Sequence, residues 1–133
     1  MSRTFPVGDA PSAAQRDTYR AAFDWLSEMR ALVRPGVTCA ELAPKLPEKY
    51  LPQRYECMIH SVGLEEESPS VCYPIDPQTN PDRVIQEDMA LVVELYAGEV
   101  GSDHGVKLGD EVLVRSDRLR ILAPYPYPAR LLA

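Results

Sequence analysis

The segment Ala-Leu-Val-Val-Glu-Leu-Tyr, residues 90–96, decides the fold class because it is the clearest strand in the chain. Side chains alternate along a strand, so Leu91, Val93 and Leu95 share one face and Glu94 lies on the other. A strand with one apolar face and one mixed face is typical of an antiparallel sheet that is covered on one side. We therefore expect this segment to belong to such a sheet.

Further strands are predicted on the C-terminal side of this segment. A turn over 98–105 leads to a second alternating segment over 106–114, and a short strand is expected over 119–122. The tail at 124–128 reads Pro-Tyr-Pro-Tyr-Pro. Since proline cannot donate to a strand ladder, we expect this tail to be extended and unpaired.

A long amphipathic helix is predicted before the strands, over residues 12–33. Ser12 and Gln15 have the spacing of a capping box, which satisfies amide donors at the start of a helix. Apolar side chains then follow the helical repeat, and Pro35-Gly36 ends the helix. Helices followed by antiparallel strands indicate an α+β fold.

The region between the helix and the clearest strand is rich in proline. Thr38 and Glu41 form a second capping box, which predicts a short or kinked helix that opens at Cys39. Residues 56–60 are apolar enough for a strand, whereas the prolines of residues 68–88 predict a long loop.

Composition limits the classes of function. The 133 residues fit a single domain over 1–133. The net charge of −6 repels phosphate, so nucleic acid is not an expected partner. No apolar run approaches the ~20 residues of a membrane span, so no membrane partner is expected either. Three cysteines without a CxxC pair favour reduced thiols and a cytoplasmic location.

His60 and Glu94 are the two residues that suggest chemistry. A carboxylate in the middle of an apolar strand either faces water on an open sheet face or is held by a metal ion. His60 lies just before a glycine turn and the acidic run at 65–67. It is either a hydrogen-bonded structural histidine or part of a metal or acid–base site. From the residues alone, both interpretations of each residue stay open.

The order of three motifs adds information that no single motif carries. His-Ser-Val-Gly-Leu at 60–64, Val-Glu-Leu at 93–95 and Gly-Val-Lys-Leu-Gly-Asp-Glu-Val-Leu-Val at 105–114 resemble the pita-bread metallopeptidase superfamily. That superfamily holds Xaa-Pro aminopeptidases, methionine aminopeptidases, prolidases and creatinases. The resemblance implies a partial pita-bread fold, the C-terminal part of a catalytic domain, with helices packed on a curved antiparallel sheet.

Three other segments, at 46–55, 68–74 and 96–101, resemble the dimethylsulfoniopropionate lyase branch of that superfamily. The resemblance implies a metal-dependent hydrolase or lyase that acts on a small carboxylate or a peptide. It implies two divalent ions (Mn, Fe, Co or Zn) held by two aspartates, one histidine and two glutamates. His60 stands at the histidine position and Glu94 at the first glutamate position. Glu66 stands where the lyase branch has an acidic residue proposed as a general base.

Three departures from the family pattern concern the metal ligands. Residues 1–5 match the stretch after the second aspartate, so both aspartates would lie upstream, and the chain is expected to be truncated. Gly109 stands where the last glutamate is expected, and Ser61 replaces a glycine. Asp110 or Glu111 could replace that glutamate only through a shift of register. We therefore expect an incomplete site in which metal is held weakly or is absent.

Two expectations concern assembly. If the strand over 90–96 has lost its neighbours, it exposes an edge and an apolar face, and such surfaces recruit other chains. A homodimer is the simplest outcome. The alternative to an enzyme is a non-catalytic binding or dimerisation module that retains the fold.

Overall fold

Helices packed on one antiparallel sheet make up the part of the chain that the computed structural model describes, namely residues 1–42, 57–63, 68–73, 76–77 and 80–133. The α+β fold class predicted from the sequence is confirmed. In chain order, the described elements are α1 (Ala13–Leu32), a 3-10 turn (Ala40–Leu42), β1 (Cys57–Ser61), β2 (Ser70–Cys72), β3 (Ala90–Ala97), β4 (Val106–Val114), β5 (Leu119–Ile121) and α2 (Ala129–Leu132). No helix in these ranges is long and apolar enough to cross a membrane.

The helix α1 begins as the capping box predicts. The Ser12 amide donates to Oε1 of Gln15 over 2.9 Å, and the Gln15 amide donates to Oγ of Ser12 over 3.2 Å. The buried face of α1, which includes Tyr19, Leu26 and Met29, packs against β3 and β4. The second capping box also forms, but its helix is only the 3-10 turn. The prolines after residue 42 lie outside the described residues.

The sheet has the strand order β2-β1-β3-β4-β5, with every neighbouring pair antiparallel. The prediction of a loop over 68–88 was wrong at Ser70–Cys72, which forms β2 and pairs with β1. Burial explains this short strand, because Val71 and Cys72 reach the core. The helix α2 was not predicted either, although the tail before it is extended as expected.

The strand β3 lies in the middle of the sheet, so the expectation of an exposed edge at 90–96 was wrong. Leu91, Val93 and Leu95 are buried on the face that α1 covers. The opposite face of β3 is only partly buried along its length. One face of the sheet therefore forms the core, and the other remains accessible.

Asp110 forms a buried ionic cluster on the core face of β4. Its carboxylate accepts hydrogen bonds from Arg3 (2.7 Å), from Arg30 of α1 (2.6 Å) and from the Tyr127 hydroxyl (2.7 Å). Burial alone would raise the pKa of Asp110, but the hydrogen bonds from Tyr127 and Arg3 and the charges of Arg3 and Arg30 hold it below its ordinary range. The cluster joins both ends of the chain to the sheet.

Candidate metal site

His60 and Glu94 lie together on the accessible face of the sheet. The register of β1 on β3 pairs His60 with Val92, so that Glu94 is two residues further along the same face. The Nε2 atom of His60 is 3.9 Å from Oε1 of Glu94, and the two side chains are only 13% and 15% exposed. The structure therefore places both side chains on one face of the sheet and within reach of each other.

The ring of His60 is oriented by a backbone hydrogen bond. Its Nδ1 atom lies 3.0 Å from the carbonyl oxygen of Ser61. Since a carbonyl can only accept, Nδ1 carries the proton, and in the neutral ring the lone pair is on Nε2, the nitrogen that faces Glu94. Metal-binding histidines are commonly oriented in this way by a carbonyl on the second nitrogen.

Lys107 is the residue of this site that the sequence analysis missed. Its Nζ atom is 3.1 Å from Oε2 of Glu94. The register pairs Glu94 with Gly109, and Lys107, two residues earlier on β4, therefore lies on the same face. The alternation of β4 was sufficient to place Lys107 beside Glu94 once the two strands were paired.

Gly109 leaves no carboxylate opposite Glu94. A Cβ atom at position 109 would lie 2.7 Å from Cβ of Glu94, so a side chain there requires Glu94 to move. Asp110 points to the core face, as the alternation predicts, and its carboxylate is engaged in the buried cluster. Without a shift of register, Asp110 therefore cannot replace the missing ligand.

The residues present do not by themselves fit a pair of divalent ions. His60 and Glu94 are suitable donors, but stable sites generally have about three or four protein ligands. Throughout the part of the chain that the structure describes, no group of three or more His, Cys, Asp or Glu side chains could hold a metal ion. Glu66, the candidate general base, lies outside the described residues.

Comparison with known proteins identifies the family. A model of metallopeptidase family M24 matches residues 1–116. The chain belongs to this family. Membership confirms the resemblance to the pita-bread superfamily.

Two curated relatives of this chain have the same name. Dimethylsulfoniopropionate lyase DddP of Roseovarius nubinhibens is 34% identical over 139 residues, which cover 99% of this chain and 31% of the relative. The protein of that name from Roseobacter denitrificans is 31% identical over 137 residues, again with 99% and 31% coverage. This M24 chain therefore spans about a third of the length of the curated relatives it matches.

Solved structures share the fold. An Xaa-Pro dipeptidase from Bacillus anthracis superposes with a TM-score of 0.78 at 23% identity, over 95% of this chain and 35% of that one. A prolidase from Pyrococcus furiosus gives a TM-score of 0.76 at 25% identity, over 93% and 36%. The partial pita-bread fold expected from the sequence is confirmed.

Proposed function

We propose that this M24 chain supplies His60 and Glu94 to the site of a metal-dependent hydrolase or lyase that acts on a small carboxylate or a peptide. The observation that carries the proposal is the 3.9 Å approach of His60 Nε2 to Glu94 Oε1 on the accessible sheet face. The names of its relatives, dimethylsulfoniopropionate lyase and Xaa-Pro dipeptidase, support these two substrate classes.

The ion in this proposal is Mn, Fe, Co or Zn, and this chain holds it weakly. One imidazole and one carboxylate suit these ions. Two ligands are nevertheless fewer than a stable site needs, and the ammonium of Lys107 already neutralises Glu94. Tight binding would need ligands beyond the residues that the structure describes, from a longer polypeptide or from a second chain.

Glu66 remains the proposed general base. A glutamate serves this role when burial or a like charge raises its pKa, and Glu65 and Glu67 are its sequence neighbours. Replacing it with glutamine should lower turnover by about 10²–10⁴-fold, which is the range for general-base groups. The affinity for Mn²⁺, measured in the same preparation, should remain that of the wild type.

An activity assay with added metal tests the proposed function. The purified chain is assayed with Mn²⁺ for hydrolysis of Xaa-Pro dipeptides and for dimethyl sulfide release from dimethylsulfoniopropionate. We expect slow turnover of one substrate class that rises with Mn²⁺ up to millimolar concentrations and is lost in His60→Ala and Glu94→Gln. Turnover that persists in both variants would contradict the assigned roles.

The second candidate function is a non-catalytic binding or dimerisation module. The ion pair of Lys107 with Glu94 opposite Gly109 favours it, because this arrangement balances the charge of Glu94 without a metal. We further propose that the chain forms a homodimer, which light scattering at micromolar concentration would detect as twice the chain mass. No turnover at any Mn²⁺ concentration together with a dimer mass would favour the module over the enzyme.

We also propose a cytoplasmic location. Cys39 is a free thiol in the core, which suits a reducing compartment. Fractionation of cells that express the protein tests this, and recovery outside the cytoplasm would contradict it.

A further inference from the structure

The carboxylate of Glu94, a proposed metal ligand, is already in contact with other side chains of the same chain. Oε2 of Glu94 is 3.1 Å from the ammonium of Lys107, while Oε1 faces His60. A Cβ atom at Gly109 would lie 3.3 Å from Oε2 of Glu94, so the carboxylate extends over the position that lacks a side chain. Each carboxylate oxygen therefore already has a neighbour, and one of these neighbours is a cation.

We infer that Lys107 replaces a divalent ion as the cation that neutralises Glu94, so that this site opposes metal binding unless Lys107 is displaced. The inference takes from the proposed function only the assignment of His60 and Glu94 to ligand positions. It concerns the charge balance of the site rather than the reaction.

Charge and burial support this inference. Glu94 carries one negative charge and Lys107 one positive charge, so the pair is neutral before any ion arrives. A divalent ion at Glu94 would lie within a few ångströms of the ammonium, and like charges at that separation repel strongly where solvent is limited. The side chain of Lys107 is 32% exposed and that of Glu94 15%, so water screens the repulsion only in part. A divalent ion must therefore displace the ammonium of Lys107 or bind with lower affinity because of the repulsion.

The absence of a side chain at residue 109 contributes to this arrangement. A carboxylate at that position would add a negative charge on the same face as Lys107 and would compete with Glu94 for the ammonium. With glycine there, position 109 offers no carboxylate that competes with Glu94 for contact with Lys107. Glycine at residue 109 is thus compatible with the contact between Lys107 and Glu94.

Calorimetric titration of Mn²⁺ into the purified full chain tests the inference. Lys107→Met should bind Mn²⁺ about tenfold or more tightly than the wild type, because a charge within 4–6 Å shifts such equilibria by one or more log units. Lys107→Gln should show a similar gain. Lys107→Arg keeps the cation and should bind as weakly as the wild type.

The matched control is Arg118→Met, which removes one positive charge from the exposed turn between β4 and β5. Its Mn²⁺ affinity should stay within about twofold of the wild type, since an exposed distant charge is screened by salt. The double variant Glu94→Gln/Lys107→Met should lose the gain. Circular dichroism of each variant verifies that it is folded.

Equal Mn²⁺ affinity of the wild type and the folded Lys107 variants would overturn the inference, and so would a gain that survives Glu94→Gln. These outcomes are separate from those of the activity assay. A gain in affinity without turnover refutes the enzyme and supports the role of Lys107. Turnover by the wild type, without a gain in Mn²⁺ affinity in Lys107→Met, would support the enzyme and refute the role of Lys107.

Discussion

The two faces of the sheet carry two carboxylates whose charges are balanced in different ways. On the core face, Asp110 is fully buried and accepts hydrogen bonds from two arginines and one tyrosine. On the accessible face, Glu94 has Lys107 at 3.1 Å and His60 at 3.9 Å. The first carboxylate is enclosed by partners from its own chain, and the second can be reached by a ligand.

This difference suggests that the two faces of the sheet have different roles, one in stability and one in binding. Asp110 and Gly109 are consecutive, and strand alternation alone directs one to the core and the other to the candidate site. Removing a charge on the core face should therefore act mainly on stability, and removing a charge on the accessible face should act mainly on binding.

Asp110→Asn should have the largest effect. The amide keeps the shape but removes the charge, so that Arg3 and Arg30 lose their counter-ion in a buried position. Breaking a buried ion pair from one side typically costs about 3–5 kcal/mol of unfolding free energy. Urea denaturation measures this loss against Asp117→Asn, an exposed control that should change little. A loss below about 1 kcal/mol, the value of a surface pair, would contradict the role of the cluster.

The pH dependence of stability should identify the same carboxylate. The pKa of Asp110 is lowered in the folded chain, so its stabilising contribution is fully present above the pKa of the unfolded chain, about 4. That contribution is lost as the pH falls through the lower folded-state pKa. The difference in unfolding free energy between wild type and Asp110→Asn should therefore be constant from pH 7 to 5 and shrink as the pH falls below about 4. A difference that grows on acidification would contradict this.

Gly109→Ala should have an intermediate effect. The added Cβ would lie 2.7 Å from Cβ of Glu94, and overpacking of this kind costs about 1–3 kcal/mol. Thermal or urea denaturation measures the cost. In the background of Glu94→Gly the close contact is gone, so the same substitution should then cost less. An equal cost in both backgrounds would show that contact with Glu94 is not the cause.

Glu94→Gln should have the smallest effect on stability. The pair of Glu94 with Lys107 is partly exposed, and such pairs contribute about 0–1 kcal/mol. The small loss measured in dilute buffer should decrease further in about 0.5 M salt, because salt at that concentration largely screens ionic interactions between exposed charges. A loss as large as that of Asp110→Asn would remove the distinction between the two faces.

The sequence predicted the elements with long, regular periods. The helix α1 and the strands β3 and β4 repeat their apolar pattern over many residues. For this reason the pattern also predicted correctly which of their faces is buried. The strand β2 has only three residues among prolines, so its position depends on pairing with β1 rather than on its own pattern. Short elements of this kind are determined by tertiary contacts.

The candidate site was predicted in part for a similar reason. Resemblance to a family pointed to His60 and Glu94, and alternation separated Asp110 from Gly109. The partners Arg3 and Arg30 are 107 and 80 residues from Asp110 in the sequence, and no local pattern indicates such contacts. Lys107 could be placed beside Glu94 only after β3 and β4 were paired in register.

Metal analysis of the purified wild-type chain tests the central claim most directly. The chain is equilibrated with Mn²⁺, dialysed and measured by elemental analysis, with light scattering of the same sample to establish its mass. Because the proposed ligands His60 and Glu94 are only two and Lys107 neutralises Glu94, we expect well below one ion per chain. Two retained ions per chain in a monomer would contradict the account of an incomplete, lysine-neutralised site.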